Sequence, residues 1–173
     1  FPGGADRKSY CKGVSVADYD GDGDTDLFVS RPRENQLFDY DNNGFSDRAQ
    51  LVGLMSRESF PFCRQIEGSP NALYSKGHVV SWSTAWGDWD ADGRLDAYVA
   101  RGSAVIPSNQ EDKYLMDGLY VAQSDGQYAD LVALGRIEGD TRSSRSVAIV
   151  DLNGDGDLDV LVNHQYGMPK FIE

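Results

Sequence analysis

Long apolar runs are missing from this chain. Nowhere do roughly eighteen apolar residues follow one another, so no transmembrane helix is encoded. Basic residues are scarce as well: 16 Lys and Arg stand against 28 Asp and Glu, a formal net charge of −12. That balance excludes a nucleic-acid partner. Histidine occurs only at His78 and His164, neither in a recognisable catalytic motif. Ser, His and Asp are present, but no nucleophile elbow is. Cysteine occurs only at Cys11 and Cys63. In an extracellular protein an even count reads as a disulfide, the alternative being two buried free thiols. The chain starts at Phe1 without a signal sequence and reads as a processed or partial chain.

What is abundant is aspartate, in one recurring arrangement. Asp18, Asp20, Asp22 and Asp26 occupy positions 1, 3, 5 and 9 of a nine-residue loop. Asp88, Asp90, Asp92 and Asp96 do the same, as do Asp151, Asn153, Asp155 and Asp159. Position 6 is Gly23, Gly93 or Gly156, which supplies the backbone freedom of a sharp turn. Alternate positions of such a loop point inward, so positions 1, 3, 5 and 9 offer side-chain oxygens. Position 7 (Asp24, Arg94 or Asp157) offers its backbone carbonyl, which explains why its side chain varies. Calcium takes six to eight oxygen ligands of these kinds. Without a cation the carboxylates repel one another, so three copies point to metal rather than to plain acidic turns.

The neighbouring chemistries fit less well. An EF-hand needs a glutamate at position 12, where this chain has Val29, Val99 and Val162. Magnesium prefers fewer carboxylates and more water. Zinc would call for Cys or His, and the loops hold neither. Eleven carboxylates sit at the proposed side-chain ligand positions, so the acidity belongs largely to the loops. About three calcium ions would bring the net charge to about −6.

The flanking segments read as strands. Gly13 to Ala17 leads into the first loop and Leu27 to Val29 leaves it. Asn35 to Tyr40 follows, then a tight turn at Asn42-Asn43-Gly44 and a fourth strand from Phe45 to Ala49. Asp39 to Asp47 also fits the nine-residue pattern by letter, and reads either as this hairpin or as a fourth metal site. The second unit runs through Val79 to Trp86, Leu95 to Ala100, Gly118 to Ala122 and Gln127 to Val132, with a polar insertion at Ser108 to Lys113. Trp82 and Trp86 would share one strand face, as packing between sheets or as a platform for a sugar. After a polar linker at Arg136 to Arg145, the third unit has Ser146 to Val150, Leu158 to Val162 and Pro169 to Ile172, and no fourth strand. The units are 13–52, 79–134 and 146–173, and residues 53–77 read as an insertion pinned by the Cys11–Cys63 bridge. Repeats of four short strands are the mark of β-propeller blades. The fold class is therefore all-β, with two full blades and a partial third.

Val14 to Val29, Thr84 to Val99 and Val147 to Val162 resemble FG-GAP/VCBS-type repeats, as in the integrin α-subunit propeller. Asn35 to Leu54 resembles the ASPIC/UnbV, cartilage-acidic-protein branch. The resemblance implies a calcium-stabilised propeller in a secreted or surface protein. It carries the ligand roles to the residues named above. Family propellers usually have about seven blades, so an open edge and partner chains, through self-assembly or a larger complex, are expected here. The function expected is a non-enzymatic extracellular structural or adhesion module. The alternatives are a carbohydrate-binding or carbohydrate-active propeller and an accessory subunit of a surface filament.

Overall fold

The computed structural model describes residues 11–32, 34–41, 43–55, 80–102, 116–138, 140, 142–165 and 167–172. Among the described residues the regular elements are strands, in three antiparallel sheets. The first is β1 (Gly13–Ala17), β2 (Asp26–Ser30), β3 (Gln36–Asp41) and β4 (Gly44–Asp47), in that order across the sheet. The second is β5 (Val80–Gly87), β6 (Asp96–Gly102), β7 (Gly118–Ala122) and β8 (Tyr128–Asp130), also in sequence order. The third has three strands, β9 (Ser144–Val150), β10 (Asp159–His164) and β11 (Lys170–Ile172), with β10 central. Each sheet is a meander, as the strand spacing predicts. This is the all-β, propeller-like architecture of two complete blades and one of three strands.

Register explains which residues are inside. Phe28 pairs with Leu37 on β3, and both are buried against the second sheet. There they meet Trp86, Ala97, Val99, Tyr120, Ala122 and Tyr128. Trp86 stands edge-on to Phe28 (5.9 Å) and to Tyr128 (6.3 Å) and donates its indole N–H to Ser15 Oγ at 3.0 Å. The other face of the second sheet presents Tyr98, Leu119 and Val121 to Val160 and Val162 of the third. Every residue of β6 is buried, because successive side chains serve different neighbouring sheets.

Four details differ from the sequence reading. Leu54, at the start of the expected insertion, is a core residue beside Val52, the last residue of the first unit, whose carbonyl accepts the Tyr128 N–H at 2.8 Å. Insertion residues 56–77, Ser108 to Lys113 and His78 lie outside the described residues. Strand β9 begins at Ser144, inside the expected linker, because Ser144 is drawn into a buried polar cluster. A register shift between Ser81 and Ser83 puts Trp82 at a β-bulge. Its ring lies under the Arg145 guanidinium (3.9 Å) and near the Lys12 amine (4.9 Å). Finally, Cys11 is exposed and a free thiol. Cys63 lies outside the described residues, so the expected bridge is not seen.

Candidate metal centre

The three loops join the first two strands of their sheets, β1 to β2, β5 to β6 and β9 to β10. All three lie on one rim. Tyr128 donates its hydroxyl to the Tyr19 carbonyl of the first loop (3.2 Å) and to the Leu95 carbonyl of the second (2.9 Å). Gly87, at the mouth of the second loop, packs so close to the third that a Cβ there would lie 3.0 Å from Leu158 Cδ1.

One hydrogen-bond net recurs in each loop. The position-1 carboxylate accepts the position-6 N–H: Gly23 to Asp18 (3.0 Å), Gly93 to Asp88 (2.8 Å), Gly156 to Asp151 (3.0 Å). The position-5 carboxylate accepts the position-7 N–H: Asp24 to Asp22, Arg94 to Asp92 and Asp157 to Asp155, each at 2.9 Å. Position 9 accepts the position-2 N–H: Tyr19 to Asp26 (3.2 Å), Trp89 to Asp96 (2.9 Å), Leu152 to Asp159 (2.8 Å). These bonds curl the chain so that its carboxylates converge. Asp18, Asp20 and Asp22 bring one oxygen each within 4.8 Å of one another, and Asp88, Asp90 and Asp96 do likewise. These two clusters could hold a metal ion. The third loop has the same net, with Asn153 Oδ1 accepting the Asp155 N–H at 2.8 Å.

The closing aspartates do more than the sequence indicates. Asp26 Oδ1 also accepts the Tyr40 N–H, and Asp96 Oδ1 the Ala122 N–H, both at 2.8 Å. Each thereby pins its loop to the third strand of its sheet. Burial raises the pKa of Asp26 and of Asp96, against the opposing pull of those backbone bonds. Asp20 is raised by burial and then by the nearby charge of Asp22. A divalent cation relieves this kind of stress. Asp18 Oδ1 is a direct sign of fit: it is buried and has no hydrogen-bond partner, as expected of an oxygen that ligates.

Asp39 to Asp47 is a hairpin. Asp41 pairs with Gly44, and Asp47 lies opposite Phe38, on the face away from Asp39. Asp39 is taken by Arg48 at 3.0 Å, and Asp47 Oδ1 accepts the Leu37 and Ala49 N–H groups.

A second polar cluster was not foreseen. Asp117 is fully buried and accepts from the Tyr98 hydroxyl (2.9 Å), the Arg101 N–H (2.6 Å) and the Ser144 hydroxyl (2.8 Å). Burial pushes its carboxyl up to about 7. Nearby, His164 Nε2 lies 3.0 Å from Asp140 Oδ2, and Nδ1 lies 3.0 Å from the Met168 carbonyl. Burial raises the Asp140 carboxyl, but the Arg142 hydrogen bonds and the charge of His164 outweigh it and hold it at about 2. No local motif marks Asp117, because Ser144 reaches it only when the second and third sheets stack.

Residues 8–62 match the family model of the FG-GAP-like repeat. The match spans the first sheet and its loop. The finer likeness to the ASPIC/UnbV branch is not part of it. No curated protein matches the chain. No helix among the described residues is long and apolar enough to cross a membrane.

Proposed function

We propose that this chain, built on an FG-GAP-like repeat, is a calcium-stabilised structural or adhesion module of the extracellular space, without enzymatic activity. The observation that carries the reading is the recurrence of one hydrogen-bond net in three acidic loops on one rim, with Asp18 Oδ1 buried and unpaired. Bound calcium supplies positive charge to oxygens that otherwise repel, and adds its binding free energy to folding. Asp18, Asp20, Asp22 and Asp26 hold one ion, with Asp88, Asp90, Asp92 and Asp96 and the Asp151, Asn153, Asp155 and Asp159 set holding two more. The position-7 carbonyls of Asp24, Arg94 and Asp157 complete them. Affinities on the order of 10⁻⁴ to 10⁻³ M suffice outside cells.

The module works within a larger assembly of protein chains. The outer face of the first sheet supports this: Val14 and Val16 are exposed, and Tyr40 and Phe45 lie side by side at 4.9 Å. The carbohydrate alternative loses its platform, because Trp86 is packed between sheets and cations cover Trp82.

Thermal unfolding in calcium and in EGTA, read beside mass in solution, tests the proposal. Expected is a large loss of stability in EGTA that calcium restores and magnesium does not. An unchanged transition in protein freed of metal would overturn it.

A further inference from the structure

The first and second loops are not equivalent, and Arg94 sets them apart. Loop one carries aspartate at position 7, as does loop three, at Asp24 and Asp157. In loop two the Arg94 guanidinium forms an ion pair with Asp92 Oδ2, and its Nε reaches the Ala122 carbonyl at 3.4 Å. The position-5 carboxylate is thereby drawn aside. In loop one the converging set includes position 5 (Asp18, Asp20, Asp22), whereas in loop two it is Asp88, Asp90 and Asp96. The same arginine links the loop to β7, whose Ala122 N–H is already bound by Asp96. Loop two thus carries four carboxylates offset by one guanidinium, against five uncompensated carboxylates in loop one.

We infer that Arg94 is a tethered counter-ion, which keeps the second loop ordered without metal and makes it a weaker calcium site than the first. This rests on the calcium reading above. A cation entering loop two must displace the guanidinium from Asp92 or do without that ligand. Either way its affinity falls, because calcium affinity follows the charge and number of ligands. An exposed ion pair that merely decorates the surface would leave metal binding unchanged.

The sequence provides a reporter. Position 2 is Trp89 in loop two, Tyr19 in loop one and Leu152 in loop three. Terbium bound in loop two is sensitised most directly by Trp89, so Trp89→Phe lowers the tryptophan-excited emission from that loop. Arg94→Asp should lower the terbium concentration at half-maximal emission by about tenfold or more. It should also lower the melting temperature in EGTA, with the deficit closing in saturating calcium. Arg94→Gln, which removes the charge without adding one, should move both readouts part of the way. An unchanged terbium midpoint in both variants, alongside normal calcium uptake, overturns the role of Arg94 alone. Absence of calcium heat and of terbium emission in every form overturns the calcium reading as well.

Discussion

Asp117 and Ser144 are joined across the seam between the second and third sheets, the Ser144 hydroxyl donating to Asp117 Oδ2 at 2.8 Å. The bond couples a titrating group to the packing of two sheets. The carboxyl is raised from an ordinary 3.8 to about 7, chiefly by burial. The unfolded chain releases this proton near pH 4 and the folded chain near pH 7. The unfolded state therefore gains on the folded one across that window. Stability from this group is highest below pH 4, falls to pH 7 and is level above it. Asp117→Asn cannot titrate. Denaturant unfolding at pH 5 and pH 8, in saturating calcium, should show the free-energy gap between variant and wild type moving in the variant's favour by roughly 2–3 kcal/mol. A pH-independent gap would contradict the burial of an ionising carboxyl there.

Ala91 is the positive-φ residue other than glycine among the described residues, at φ 55°. Its counterparts at position 4 of the other loops are Gly21 and Gly154, both at positive φ. A Cβ in this region costs about 1–2 kcal/mol. Glycine gives back part of that through its freer unfolded chain. Ala91→Gly should therefore stabilise by about 0.5–1 kcal/mol, seen as a higher denaturation midpoint at an unchanged slope.

Val14 and Val16 are 66% and 59% exposed on the outer face of the first sheet, while Ser15 between them faces the second. Exposed positions of this kind tolerate charge within about 0.5 kcal/mol. Val14→Lys with Val16→Lys should leave the melting temperature nearly unchanged and lower the mass found by light scattering to that of one chain. An unaltered mass above one chain would place the assembly surface elsewhere.

The loops and most strands were legible because their signals are local. Three aspartates and a glycine at fixed spacing dictate a curled turn, and Asn43-Gly44 dictates a hairpin, whatever surrounds them. Residues that matter between sheets were not legible. Ser144 reads as linker until Asp117 is brought beside it, and Leu54 reads as insertion until the core forms around it. Trp82 was hard to place for another reason: alternation assumes an unbroken strand, and a register shift between Ser81 and Ser83 interrupts it. At Arg94 the sequence pattern predicts only a carbonyl ligand. Whether its side chain turns toward Asp92 depends on where Ala122 lies, which spacing along the chain does not encode.

The second sheet lends each face to a different neighbour, and this sets a timetable for synthesis. Tyr98, Leu119 and Val121 are made well before Val160 and Val162, which cover them. At ordinary rates of translation the interval is on the order of several seconds. For that time a nascent chain carries a finished sheet with one apolar side bare. Chaperones would recognise that intermediate, and stalling or cleavage ahead of β10 would turn a transient exposure into a permanent one. Damage to the last third of the chain should then show itself first as aggregation of the middle third.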